Sequence, residues 1–189
     1  MSRLEEIALR FGCDKLHSHS YIPFYIELFA GRPIKRLLEI GIGYEDLMKP
    51  FVPHYVHGAS LKMWEEYFPE AEIFACDIRE ETLVNEGRIR SMVANQADVA
   101  DIAKLLIFAN GSWDAVIDDG SHKTADQIFT ARHLVPTMSP GSVYVIEDVQ
   151  EPDVVFSALG PVVISRKNTA IDVWRFGKRP DDNLVVIQL

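Results

Sequence analysis

The sequence predicts a doubly wound α/β fold: a mostly parallel, seven-stranded sheet that ends in an antiparallel hairpin. Three observations predict it. Short β-branched apolar runs alternate with helical stretches through most of the chain. The middle runs are apolar without alternation, as strands covered on both faces are. The final stretch then holds strand-like runs parted by a short Gly/Pro/Asp/Asn-rich turn.

The elements follow in order. Arg36–Ile40 reads as a strand followed by a glycine turn. From Ser60 to Phe68, the apolar residues Leu61, Trp64, Tyr67 and Phe68 have helical spacing, with Ser60 as the expected N-cap. Ile73–Ile78 is a second strand and Ile89–Val93 a shorter third. Asp98 opens a helix through Ile102, Leu105 and Leu106 that closes near Asn110-Gly111. Trp113–Asp118 is a fourth strand, expected to be central and parallel, and a helix from Thr124 to Val135 leads to the fifth, Ser142–Ile146. Val162–Ile164, Ile171–Phe176 and Leu184–Ile187 are strand-like, and residues 177–183 form the hairpin connection. Residues 1–33 are read as an N-terminal helical segment or lid, and residues 34–189 as the ligand-binding domain.

Composition narrows the function. The 189 residues carry 19 Lys and Arg against 28 Asp and Glu, a formal charge of −9. That surface has no general attraction for phosphate backbones or anionic lipid, so no nucleic-acid or membrane partner is expected. The only cysteines, Cys13 and Cys76, cannot build a disulfide framework or a thiolate zinc site and read as buried apolar residues. No apolar run approaches the roughly 18–20 residues that span a bilayer, and the first residues are charged where a signal peptide is apolar. A cytoplasmic setting is expected.

In a doubly wound sheet, ligands bind beyond the carboxyl ends of the strands. Those ends are acidic here: Glu39 with Gly41 and Gly43, then Asp77, then Asn95, Gln96 and Asp98, then Asp118, Asp119 and His122, then Glu147 and Asp148. Glu39-Ile40-Gly41-Ile42-Gly43 has the character of a nucleotide-binding turn, but Asp46 stands where a dinucleotide turn has its third glycine. The turn carries no basic residue for a phosphate. Asp77 suits a ribose, since a carboxylate accepts from two vicinal hydroxyls; the same residue could instead cap the next helix. Together these favour a nucleoside without phosphates, and S-adenosylmethionine is such a ligand. Asp118-Asp119 and Glu147-Asp148 end adjacent strands and would repel without compensation. A divalent cation with oxygen ligands, such as Mg²⁺, offers it. Ser121, Asp119 or Asp148 as helix caps is the plainer reading. His122, three residues after Asp119, is placed to act as general base. His17 with His19, and His54 with His57, are expected to make cap or lid contacts.

These residues resemble a known family. Glu39 to Gly43 with Asp77 is similar to the first two motifs of class I S-adenosylmethionine-dependent methyltransferases. Gly58–Trp64, Ile117–His122 and Tyr144–Asp148, with the early Asp14-Lys15, His19, Tyr21 and Pro23–Tyr25, resemble the metal-dependent sugar O-methyltransferases of macrolide and related antibiotic pathways. The resemblance implies Asp119, Glu147 and Asp148 as Mg²⁺ ligands and His122 as the base. Glu39, Gly41, Gly43, Ser60, Asp77, Gln96 and Asp118 would line the S-adenosylmethionine pocket, with Asp77 on the ribose, Gln96 near the adenine and Glu39 toward the methionine ammonium. The implied acceptor is a sugar hydroxyl on a small-molecule glycoside. A catechol-like acceptor, a non-catalytic cofactor-binding protein and an NAD-dependent oxidoreductase are the rivals. Ala94-Asn95-Gln96 departs from the family's Gly-Asp-Gln, and well-known relatives carry a further N-terminal domain. The expectation is therefore that residues 1–33, the 44–57 loop or a second subunit of a homo-oligomer closes the substrate site.

Overall fold

A computed structural model describes residues 1–189 except Phe51, Lys167 and Lys178. Three helices come first: α1 (Arg3–Phe11), α2 (Asp14–His17) and α3 (Tyr21–Leu28). A reciprocal capping box starts α1, with Ser2 Oγ accepting from the Glu5 N–H while the Glu5 carboxylate accepts from the Ser2 N–H. Then β1 (Arg36–Ile40), the one-turn α4 (Glu45–Met48), α5 (Ala59–Tyr67), β2 (Glu72–Asp77), β3 (Ile89–Val93) and α6 (Val99–Ala109) follow. The chain ends with β4 (Ala115–Asp118), α7 (Thr124–Leu134), β5 (Val143–Ile146), α8 (Pro152–Ile164), β6 (Ala170–Arg175) and β7 (Asn183–Gln188).

The sheet is seven-stranded in the order β3-β2-β1-β4-β5-β7-β6. The first five strands pair parallel, while β7 runs antiparallel to both β5 and β6. The doubly wound sheet with its terminal hairpin is thus the observed architecture. Strand order reverses at the β1–β4 pair, where Ile40 lies beside Asp118, and a crevice opens beyond those ends. Two apolar clusters cover the faces, one around Trp64, Leu37 and Ile73, the other around Trp113, Val116 and Leu134. Leu4, Ile7, Tyr21 and Tyr25 belong to the first, so residues 1–33 pack into the same core as β1. Cys13 and Cys76 are both buried and unbridged.

Several local expectations are corrected. Ser60 is not an N-cap: Gly58, at φ 68°, holds that position and Ser60 lies inside α5. Val162–Ile164 is the last turn of α8 rather than a strand: a short β-branched apolar run does not by itself tell strand from helix, and here Val163 continues the buried Val155–Leu159 face while Ile164 is exposed. Strand β2 stops at Asp77, leaving Ile78 exposed. Trp113 and Asp114 precede β4, and the Asp114 carboxylate instead accepts from the Lys35 and Arg36 N–H groups. The 44–57 loop and the 177–183 connection include Phe51 and Lys178, which lie outside the described residues. Among the described residues no helix is long and apolar enough to cross a membrane.

Candidate active site

The glycine turn is built by close backbone approach. Gly41, at φ 90°, donates its N–H to the Cys76 carbonyl, and a Cβ there would stand 2.0 Å from the Asp119 carbonyl oxygen. The turn therefore lies against the end of β4. The Asp77 carboxylate reaches back from β2 to accept from the Ile42 N–H at 2.9 Å and the Arg79 N–H at 3.0 Å. A cavity of about 220 Å³ opens between them, lined by Gly41, Gly43, Ser60, Asp77, Asp119 and His122 among others. A second hollow of about 120 Å³ adjoins it, walled by Ile40, Cys76, Ile78, Ala94, Asn95 and Gln96. The two share Gly41, Asp77 and Gly120. A chamber of mixed polar and apolar lining that leads to a narrower, largely apolar slot suits a nucleoside with its base in the slot. Over the first chamber the Arg79 guanidinium sits 4.7 Å from the centre of the Tyr44 ring.

Glu39 lies at the floor of the site and is fully buried. Lys15 Nζ stands 3.3 Å away, yet among the described residues neither carboxylate oxygen accepts a hydrogen bond of acceptable geometry. Burial pushes its carboxyl up to about 7 against the pull of Lys15. Ser60, which lines the chamber, stands between it and the buried Glu39, so a cation held near Ser60 would meet the carboxylate's field.

Adjacent residues on a strand point to opposite faces, and this divides the two carboxylate pairs. Asp118 turns away from the chamber and is fully buried, accepting from Gln96 Nε2 at 2.9 Å and from the Tyr144 hydroxyl at 3.0 Å. It lines neither hollow and supports Gln96 from behind the wall. Burial raises it to about 7. Gln96 Oε1 accepts from the Ser121 N–H at 2.7 Å, which fixes the turn after β4.

Asp119 faces the chamber. Its Oδ2 accepts from Lys15 Nζ at 2.7 Å and its Oδ1 lies 3.1 Å from His122 Nε2. On Asp148, Oδ1 accepts from the Tyr21 hydroxyl at 2.7 Å, while Oδ2 lies 3.8 Å from His122 Nδ1 and 3.4 Å from His19 Nε2. Each carboxylate thus turns one oxygen to a protein donor and the other toward His122. Ligand atoms of Asp119, His122 and Asp148 all lie within 4.8 Å of one another, a spacing that fits one metal ion. Neither aspartate caps a helix: the N-caps of α7 and α8 are Lys123 and Glu151. His122 and Asp148 both adopt left-handed backbone, at φ 56° and 51°. Two such non-glycine residues in one cluster mark a constrained site.

Glu147 sits deeper than expected for a ligand. It is 1% exposed, with one oxygen accepting from Lys15 Nζ at 2.7 Å and the other from the Tyr25 hydroxyl. Tyr21 and Tyr25 are one helical turn apart on α3, so both hydroxyls reach the end of β5. Sequence reasoning gives these tyrosines and Lys15 no site role of their own. An i, i+4 pair of tyrosines preceded by a lysine in an apolar setting is the available signal, but it points to no particular carboxylate.

The protonation pattern follows from this packing. For Lys15 burial acts downward, but Asp119, Glu147 and Glu39 more than offset it and hold the ammonium well above the ordinary lysine range. Burial acts upward on Asp119, yet Lys15 and His122 hold its carboxyl below the usual range. Burial raises Glu147 well above its ordinary value. Asp148 rises to about 6 through burial and the nearby Asp119. His122 is pulled down by burial but raised further by Asp119 and Asp148, to about 9.

A pH prediction follows. Glu39, Asp118, Asp148 and His122 all bind their protons more tightly folded than unfolded, so the stability they contribute is lost as pH rises through about 6, 7 and 9. The metal-free protein should melt at least about 4 °C lower at pH 9 than at pH 5.5, as ~1 kcal/mol moves Tm by about 2–4 °C in a chain this long. Thermal melts in EDTA measure this; a Tm that climbs across that window contradicts it.

Comparison with known proteins finds methyltransferases. No protein-family profile matches the chain. It is 37% identical over 152 residues to the 8-demethyl-8-alpha-L-rhamnosyl tetracenomycin-C 2'-O-methyltransferase of Streptomyces olivaceus, covering 78% of this chain and 38% of that protein. It is 35% identical over 153 residues to the mycinamicin VI 2''-O-methyltransferase of Micromonospora griseorubida, covering 77% and 36%. The chain is a homologue of sugar O-methyltransferases of antibiotic pathways. Among solved structures, the mycinamycin-pathway methyltransferase MycE, in complex with Mg, SAH and mycinamycin VI, superposes with a TM-score of 0.78 at 27% identity. That match covers 99% of this chain and 54% of MycE. The chain thus spans well under half the length of the curated homologues and about half of MycE.

Proposed function

We propose that this chain is an S-adenosylmethionine- and Mg²⁺-dependent O-methyltransferase domain acting on a sugar hydroxyl of a small-molecule glycoside. One observation carries the reading: Asp119 and His122 line the chamber at the strand-order reversal, with Asp148 within metal-sharing distance of both and the buried Glu39 carboxylate beneath them, tied to the same Lys15 as Asp119. The homologues' names, and the Mg and SAH bound in the MycE complex, support it. The charge of −9 fits a small acceptor better than a polyanion.

In this scheme Asp77, Gly41 and Gly43 hold the ribose and the neighbouring turn, and Glu39, with Ser60 beside it, receives the methionine ammonium. Gln96 orders the wall near the base through its bond to Ser121. Asp119 and Asp148, with Glu147 behind them, would hold the metal, which when bound lowers the pKa of a coordinated hydroxyl. His122 takes the hydroxyl proton. Asp119 foremost, then Asp148 and Asp118, raise its ring to about 9, so positive charge placed on those carboxylates would lower it toward the range of a base. Residues 34–189 carry most of these groups, and residues 1–33 add Lys15, Tyr21 and Tyr25 to the floor of the site rather than only covering it.

Calorimetric titration with S-adenosylmethionine should show one site per chain. Methyl transfer to a panel of rhamnosylated and deoxysugar glycosides should then stop in EDTA and return with Mg²⁺. A flat titration on folded protein would sink the reading, and activity that persists in EDTA would remove the metal from it.

A further inference from the structure

Lys15 is a fully buried cation beneath the site, and the scheme above places it in the floor without giving it a task. It comes from the one-turn α2, its side chain is 1% exposed, and its ammonium meets carboxylates from three strands. The distances are 2.7 Å to Asp119, 2.7 Å to Glu147 and 3.3 Å to Glu39. No other cation shares that position among the described residues: His122 touches Asp119 from the chamber side, and His19 reaches Asp148 and Asp182. A lone buried ion is strongly disfavoured, and a cluster of buried carboxylates with no cation is worse.

We propose that Lys15 is a built-in cation that keeps the carboxylate nest assembled before metal binds and tunes how tightly the metal is then held. It is a positioning residue. By engaging the inner oxygen of Asp119, it turns the outer one toward His122 and the space shared with Asp148. By engaging Glu147 together with the Tyr25 hydroxyl, it fixes that side chain against the floor. Four carboxylates converge here, on Glu39, Asp119, Glu147 and Asp148, and one fixed ammonium leaves room for a single divalent ion and one organic cation. The same ammonium repels the metal, so the site gives up affinity in return for keeping its shape when empty. The inference rests on the metal reading of the site.

The test uses the full chain with Mn²⁺ as the metal probe. Lys15→Met removes the charge and keeps most of the side-chain volume, and the double variant Lys15→Met/Glu147→Gln removes both charges of the Lys15–Glu147 pair. Wild type is expected to bind one Mn²⁺ by calorimetry. Lys15→Met should melt lower in EDTA, bind Mn²⁺ at least about tenfold tighter because a like charge a few ångströms away is gone, and gain more Tm from saturating Mn²⁺ than wild type does. The double variant should recover most of the lost metal-free Tm. A loss of packing alone would lower Tm without tightening Mn²⁺ binding. The proposal is overturned by Mn²⁺ affinity within about threefold of wild type, since a lost like charge must show. It is equally overturned by an unchanged metal-free Tm, or by a double variant no better folded than the single. If wild type takes up no Mn²⁺, the metal reading fails and the tuning half of the proposal falls with it; the two EDTA melts still decide whether Lys15 holds the nest together.

Discussion

Asp119→Asn is expected to cut methyl transfer by about 10²–10⁴-fold, the range for losing a group that sets up general-base or metal catalysis, while leaving S-adenosylmethionine affinity within about threefold. The substitution preserves shape and removes charge at the one side chain where Lys15, His122 and the shared donor space meet. Three consequences stack. The metal loses an anionic ligand, Lys15 loses one of its two closest carboxylates, and His122 loses the strongest of the charges that raise it. The cofactor turn should not notice, because what crowds Gly41 is the Asp119 backbone carbonyl, not its carboxylate. Steady-state kcat beside a calorimetric titration separates the two effects. Turnover above about a tenth of wild type would remove Asp119 from the centre of the chemistry.

Gly41→Ala is expected to abolish S-adenosylmethionine binding within calorimetric range, a loss of at least about 10²-fold, and to destabilise the fold by about 3 kcal/mol. The added Cβ would lie 2.0 Å from the Asp119 carbonyl oxygen and 2.6 Å from its carbon. Both are backbone atoms at the end of a central strand, so no rotamer change relieves the overlap, and φ 90° strains any side chain as well. Relief requires β1 and β4 to part at the crevice, which displaces the turn and the Asp119 carboxylate together. Gly141→Ala is the control. It shares the strained backbone, at φ 88°, but has nothing within 4 Å, so it should cost only about 1 kcal/mol and leave binding intact. Equal losses at the two positions would mean that backbone strain, not the approach of two strands, governs Gly41.

Much of the site was legible because strand ends announce themselves locally. Apolar runs that stop at Glu39-Ile40-Gly41, Asp77, Asp118-Asp119 and Glu147-Asp148 set both the parallel sheet and the acidic rim, and the alternation of a strand already separates Asp118 from Asp119. The misreadings share a cause: local pattern leaves alternatives that only packing resolves. Val162–Ile164 is β-branched and apolar, yet it completes α8 because α8 lies against α7 and β6. Ser60 is a good capping residue, but Gly58 takes the cap and Ser60 becomes chamber wall.

The charge that the sequence displays as −9 is therefore not one property. Composition and pattern alone determined that the chain is acidic and that its strand ends are acidic. The tertiary structure decided which carboxylates are tied down and which remain open. Lys15 meets Asp119 across 104 residues of chain and Glu147 across 132, pairings that no local pattern encodes. Asp118 is spent on Gln96 and Tyr144, while Glu39 has the Lys15 ammonium at 3.3 Å and no well-formed hydrogen bond among the described residues. The reason is that a carboxylate's chemistry depends on burial and on the donors within about 3 Å of it, and both come from elements far apart in sequence.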